Sequence, residues 1–280
     1  MEIIEQTLVP KNPKKKSEDG IVVTNDFIAV IDGSTSKSDY HHSLFRSNGR
    51  YAMQLISRFI SRMPKNITCE EFLRGVTNTI RKHYKKSMMQ RLAEHPEDRL
   101  TASVIVFSRV CREIWMVGDC QCMLTSYPTP ITHHPSPIYY DNPKPYEAEL
   151  AAMRANEVRR QMANGVSQEE LLRNDTARPI IIPRMIETMR NQNVTYSVVD
   201  GFPIDKQHIR KITLDFQPWE IVMASDGYPF LCPTLDESEQ RLKEQRDTDP
   251  LNIGPAFQAT KAFHPDNASF DDRTYIRFKV

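Results

Sequence analysis

Apolar and polar positions alternate along the chain in two distinct rhythms. Phe27 to Ile31 is an unbroken apolar run, partly β-branched and short enough for a buried strand, and Ile21 to Thr24 before it reads the same way. From about Arg50 to Met63 the apolar residues Met53, Ile56, Phe59 and Ile60 recur at helical spacing and predict an amphipathic helix. A second helix opens on the capping box Thr68-Cys69-Glu70-Glu71, whose first and last side chains can satisfy each other's backbone N–H, and runs towards Leu92. A hairpin follows: "TASVIVFSRV", a tight polar turn near Arg112, then "EIWMVGDCQCML".

Between about Tyr127 and Asn193 the rhythm changes. Prolines and His133-His134 lead into a helical stretch around Ala148 to Ala163, a box at Ser167-Gln168-Glu169-Glu170 starts a short helix, and Pro183 suits a first helical position. Strands resume at "VTYSVVDG", "IRKITLDF" and "EIVMASDG". One or two helices follow from Thr234 to Ala262, opening on Thr234-Leu235-Asp236-Glu237, and the chain closes on the strand "RTYIRFKV". Strands thus come as antiparallel-looking neighbours with helices in pairs between them, which predicts packed sheets with helices outside and no βαβ alternation. The expected organisation is one domain over 1–280, with a helical insertion at about 128–193 between sheet strands.

Composition narrows the class. With 280 residues, 39% hydrophobic and 26% charged, the chain fits a soluble globular protein, and a net charge of +1 gives no footprint for nucleic acid or an anionic membrane. The polar start, Met1 to Lys16, does not read as a signal peptide, and no apolar run is long enough to cross a bilayer. The five cysteines are odd in number and lack Cys-x-x-Cys spacing, so they read as reduced residues of a cytoplasmic protein.

Candidate chemistry sits at strand ends. Asp32-Gly33 closes "FIAVIDG", Gly118-Asp119 closes "IWMVGD", Asp226-Gly227 closes "IVMASDG", and Asp271-Asp272 opens the last strand. A fifth acidic site, Glu18-Asp19-Gly20, precedes the first strand. Each alone is what a turn uses. On strands sharing one core, they would crowd negative charge at one rim, where carboxylates repel unless cations balance them. Hard oxygen ligands without sulfur select Mg²⁺ or Mn²⁺ over Zn²⁺, and a pair of such ions activates water and grips the oxygens of a phosphate. Spacing alone leaves open the alternative of separate surface turns that never meet.

The ordered set "SEDG", "AVIDGS", "MVGDCQ", "ASDG" and "FDDRTYI" resembles the metal-dependent serine/threonine protein phosphatases, the PP2C or PPM family, from about Lys14 to Val280. The resemblance implies an α+β fold, a four-layer α-β-β-α sandwich of two antiparallel sheets flanked by helices, with two Mn²⁺ or Mg²⁺ ions at one end. It places the bridging carboxylate on Asp32, with the Gly33 carbonyl beside it, and further ligands on Asp226 and Asp271. Glu18 and Asp19 fall near the second ion, and Asp119 matches the ligand of a weaker third ion in some members. Asp32 and Asp226 would then act in catalysis through the ions they hold. The implied substrate is phosphoserine or phosphothreonine in a protein.

The chain departs from that pattern in the short interval from Glu18 to Asp32, in the segment after Met123, and at two candidate functional positions. Many eukaryotic members carry histidine directly after the Asp-Gly, as a proton donor to the leaving alcohol; here Ser34-Thr35-Ser36-Lys37 follows, and His41 or His42 is the substitute. The phosphate-holding basic residue lies a few positions before the acidic pair, where "PKKKSED" offers Lys14, Lys15 or Lys16 and no arginine. A phosphatase of a small phosphorylated molecule and a non-catalytic binding module of the same fold stay open as alternatives.

Overall fold

In the computed structural model, which describes residues 1–126 and 136–280, ten strands form two antiparallel five-stranded sheets. One sheet carries, in spatial order, β2 (Gly20–Val23), β3 (Phe27–Gly33), β4 (Ala102–Ser108), β5 (Glu113–Val117) and β8 (Arg210–Thr213). The other carries β1 (Glu2–Val9), β10 (Arg273–Lys279), β9 (Trp219–Ala224), β6 (Gln121–Ser126) and β7 (Ile138–Tyr140). The unbroken apolar run of β3 follows from burial on both faces. Ile28 and Val30 point between the sheets, into a cluster with Ile105, Phe107, Met223 and Phe278. Phe27, Ala29 and Ile31 point outward against α1 (Asn48–Ile60) and α2 (Cys69–Arg81), whose Ile56, Phe72 and Val76 complete that outer core.

On the far side, Met123, Val222, Ala224 and Tyr275 are covered by Tyr228, Leu231 and Leu235, the last opening α7 (Leu235–Thr248). The layering is α-β-β-α, as the resemblance implies. Two of the three predicted capping boxes form in full, at Thr68 and at Thr234; at Ser167 only half forms, its side chain accepting from the Glu170 backbone N–H at the start of α5 (Gln168–Arg173). That helix lies between α4 (Glu147–Ala163) and α6 (Ala177–Met189), all three falling between β7 and β8 in the chain.

Several elements differ from the sequence reading. "EIWMVGDCQCML" is not one strand: Gly118, at φ +86°, breaks it, and β5 and β6 belong to different sheets. A side chain there would meet the Cβ of Ser103 at 2.5 Å, so only glycine allows the crossing. "VTYSVVDG" forms no strand and makes only isolated bridges, Gln192 to Tyr196 and Ala102 to Val199. Local side chains satisfy its backbone instead: Asn193, at φ +58°, accepts from Val198 N–H, and Asp200 accepts from Phe202 N–H.

The second helix stops at Arg81, and a separate short helix, α3 (Met89–Glu94), reaches Leu92. Pro183 lies inside α6, past its first turn. Beyond α7, residues 249–272 hold no further helix. Strand β1 was unread because it is an edge strand with no fully buried position. Residues 127–135, with His133-His134 and the start of the predicted insertion, lie outside the described residues.

Candidate metal centre

The sheets meet at a rim where three strand ends converge. Asp32 near the end of β3, Asp119 in the crossing from β5 to β6, and Asp226 just after β9 each bring a carboxylate oxygen within 4.8 Å of the others. Strand pairing makes this meeting. Asp32 sits opposite Ser103 in the β3–β4 ladder, and Ser103 Oγ donates to Asp119 Oδ1 at 2.5 Å. Beside Asp226, the Ser225 N–H donates to the Thr274 carbonyl and the Thr274 N–H donates to Ser225 Oγ, while Thr274 Oγ1 donates to Asp19 Oδ2 at 2.9 Å. Gly33 packs against the start of α1, where an added Cβ would lie 2.5 Å from the Glu18 carbonyl oxygen.

The centre floors a cavity of about 600 Å³, lined also by Gly33 and Asp271. Burial, then the charges of Asp226, Asp19 and Asp119, raises Asp32 well above the usual carboxylate range. Burial, then Asp119 and Glu147, pushes Asp226 up to about 7. Burial also lifts Asp19 to about 6 against the hydrogen bonds from Ser225 and Thr274, with Asp272 adding to the rise. Asp119 behaves differently. Burial raises it too, but the Lys144 ammonium and the Ser103 hydroxyl outweigh that and hold it below its usual value.

Asp271 is claimed by lysines. Lys11 Nζ donates to its Oδ1 at 3.0 Å, and Lys261 Nζ donates to its Oδ2. Its neighbour Asp272 is a clamp for the N-terminal segment, accepting from the backbone N–H of Lys11 and of Glu18, each at 2.7 Å. Glu18 turns towards Thr35, whose Oγ1 donates to Glu18 Oε2 at 2.6 Å, while Glu18 Oε1 is buried without a hydrogen-bond partner. The donor set fits a hard divalent ion. Among the described residues no cationic side chain hydrogen-bonds to Asp32 or Asp226, and Glu18 Oε1 is an orphaned buried oxygen in the chain's N-terminal segment.

The remaining residues singled out from the sequence lie apart. Lys14, Lys15 and Lys16 are exposed and do not line the cavity. His41 is exposed and also absent from the lining, and His42 Nε2 bonds the Asp98 carbonyl at 2.7 Å between the rings of Tyr40 and Tyr84. Protein cations also reach the acidic rim: Lys144 pairs with Asp119, and Lys11 and Lys261 pair with Asp271. These three, with Lys37, Arg178 and Glu147 on the cavity wall, went unread. Only Lys144 carried a signal, its place between Pro143 and Pro145 in a polar stretch, and nothing there points to Asp119.

No protein-family model matches the chain, and neither does any curated protein. Solved structures similar to it include RsbX in complex with magnesium, 13% identical, covering 98% of this chain and 96% of that one at a TM-score of 0.45. The catalytic domain of the serine/threonine protein phosphatase PstP in complex with 2 manganese ions is 11% identical, covering 100% of both chains at 0.47. The PPM Ser-Thr phosphatase MsPP of Mycobacterium smegmatis in complex with cacodylate is 12% identical, covering 99% and 98% at 0.44.

Proposed function

We propose that this chain is a metal-dependent hydrolase of phosphomonoesters, with phosphoserine or phosphothreonine in proteins as the substrate class that its strand-end motifs imply. The observation that carries the reading is the meeting of Asp32, Asp119 and Asp226 within 4.8 Å at the floor of a cavity. Three carboxylates so close cannot all stay ionised unless cations join them, and among the described residues two of the three have no protein cation bonded to them. Asp32 and Asp226, with Asp19 and Glu18 near, are the residues that would hold Mn²⁺ or Mg²⁺, two ions with a third at Asp119. Bound there, such ions supply Lewis acidity and an activated water for in-line attack on phosphorus.

The protein's own groups set the stage. Ser103 and Lys144 fix the Asp119 carboxylate, and Thr274 fixes Asp19. We read residues 1–280 as one unit with 128–193 inserted between strands, acting on phosphorylated partners and not on nucleic acid or a membrane. Its five cysteines are free, which fits a cytoplasmic setting, and no helix among the described residues is long and apolar enough to cross a membrane.

One observation favours a second reading, a non-catalytic binding module. Lysines already balance Asp119 and Asp271, so part of the rim is neutral without any ion. Hydrolysis of p-nitrophenyl phosphate separates the two. The enzyme reading expects turnover with Mn²⁺ or Mg²⁺ that EDTA abolishes and added metal restores; no turnover with either ion, in protein that calorimetry shows to bind them, selects the module.

A further inference from the structure

Beside the acidic floor the cavity has a wall of opposite sign. A continuous set of contacts builds it. Lys37 Nζ donates to the Thr35 carbonyl at 2.6 Å, and Lys11 Nζ donates to Thr35 Oγ1 at 3.2 Å and to Asp271 at 3.0 Å. Lys261 holds the other oxygen of Asp271, and the residue before it, Thr260, accepts from Arg178 Nη1 through its carbonyl and, at 3.2 Å, its hydroxyl. Two of these cations, Lys11 and Lys261, pair with Asp271, and Lys37 and Arg178 stand beside them on Thr35 and Thr260; Glu18, which accepts from Thr35 Oγ1, is the other carboxylate of this set of contacts.

Two of the four are unmatched. Lys37 and Arg178 both line the cavity, yet among the described residues the side-chain acceptors of each are neutral oxygens of Thr35 and Thr260. Asp175, the acid nearest Arg178 in the chain, spends its Oδ2 on Arg154 at 2.8 Å and its Oδ1 on the Arg178 backbone N–H. Burying cations without counter-charge is costly, and an anion entering the cavity would relieve it. The crowding is evident in Lys37 itself, pushed down to about 7 by burial and then by Arg178, Lys144 and Lys11, against a smaller opposing pull from Glu18.

We propose that Lys37 and Arg178 form an oxyanion-binding subsite on the cavity wall, built jointly by the loop after β3 and by helix α6. The ligand group is a tetrahedral or planar oxyanion. It is either the phosphoryl group that reacts or a second anionic group elsewhere on the same substrate. The subsite rests on the phosphatase reading only for the second part of its test, because anion binding itself needs no turnover.

The first measurement is calorimetric titration of sodium sulfate into the full chain in EDTA, so that resident metal plays no part. Wild type is expected to bind sulfate, and Lys37→Met and Arg178→Met each to weaken it on the order of tenfold or more, the cost of one charge-assisted hydrogen bond. Lys37→Arg keeps the charge and should retain most of the affinity, which separates a lost anion contact from a misfolded loop. No sulfate binding by wild type, or Lys37→Met binding like wild type, overturns the subsite whether or not the protein is an enzyme.

The second measurement compares KM for p-nitrophenyl phosphate and for its ring-carboxylated analogue in Mn²⁺. A rise in KM for both esters in Lys37→Met assigns the subsite to the reacting phosphoryl. A rise for the carboxylated ester alone assigns it to a second anion. Unchanged KM for both esters overturns the subsite as a substrate contact.

Discussion

Lys144, held between Pro143 and Pro145, donates its ammonium to Asp119 Oδ2, while Ser103 holds Oδ1. That one contact ties the segment after β7 to the crossing between the sheets. It also places an ammonium where a divalent ion would otherwise meet the carboxylate. Burial lowers the Lys144 amine, but Asp119, Glu147 and Asp226 outweigh it and keep the charge firmly in place.

Lys144→Met should therefore release Asp119 to metal. The expected result is a gain in Mn²⁺ affinity on the order of tenfold for the weakest site seen by calorimetry, since a competing cation has gone. Asp119→Asn should leave the tighter ions bound and lower the rate. Unchanged Mn²⁺ isotherms in both variants would show that Asp119 takes no part in metal binding.

Asp32→Asn and Asp226→Asn should each lower turnover of p-nitrophenyl phosphate by at least about 10²- to 10³-fold, the scale of one lost electrostatic partner at a reacting centre. Both variants should stay folded, because each removes charge from a crowded rim. Near wild-type rates in both would mean that these carboxylates are not the working ones.

The same crowding sets a pH dependence for EDTA-treated protein. Folded Asp226 keeps its proton up to about pH 7, whereas its ordinary value is 3.8, so across that interval the folded state holds the extra proton. Stability of the metal-free protein should accordingly fall as pH rises from about 4 to 7. Asp226→Asn should flatten that fall and leave the variant more stable than wild type at pH 7, which urea titrations at several pH values would measure. A wild-type curve as flat as the variant's contradicts it.

Asp272 has a different task from its neighbour. It is buried and receives the N–H groups of Lys11 and Glu18, which brings the N-terminal segment to the rim. Asp272→Ala strands both donors and should cost about 3 kcal/mol in urea unfolding, from two hydrogen bonds to a charged acceptor. A cost under about 0.5 kcal/mol would mean that the segment docks without it.

The histidines give the last expectation. His41 is exposed and outside the cavity lining, and His42 is spent on the Asp98 carbonyl. His41→Ala should leave hydrolysis of a phosphopeptide within about twofold of wild type, because a general acid must reach the leaving oxygen. A large loss confined to phosphopeptides would bring His41 back as the proton donor.

What the sequence determined by itself is what local rules govern. Burial on both faces demands an unbroken apolar run, so β3, β4 and β9 could be read directly, as could capping boxes whose partners stand three residues apart. Strand ends rich in Asp-Gly marked Asp32, Asp119 and Asp226 one at a time. Their meeting was decided by the fold, because it depends on Gly118 sending the chain from one sheet to the other and on the registers that set Asp32 against Ser103. Edge strand β1 stayed hidden since half-exposed positions leave no clear alternation. The cations were beyond reach for another reason. Lys11 meets Asp271 across 260 residues, and Lys144 meets Asp119 from a loop. A lysine's spacing carries no imprint of its partner, since a long flexible side chain is tolerated almost anywhere on a surface and only packing decides which carboxylate it finds.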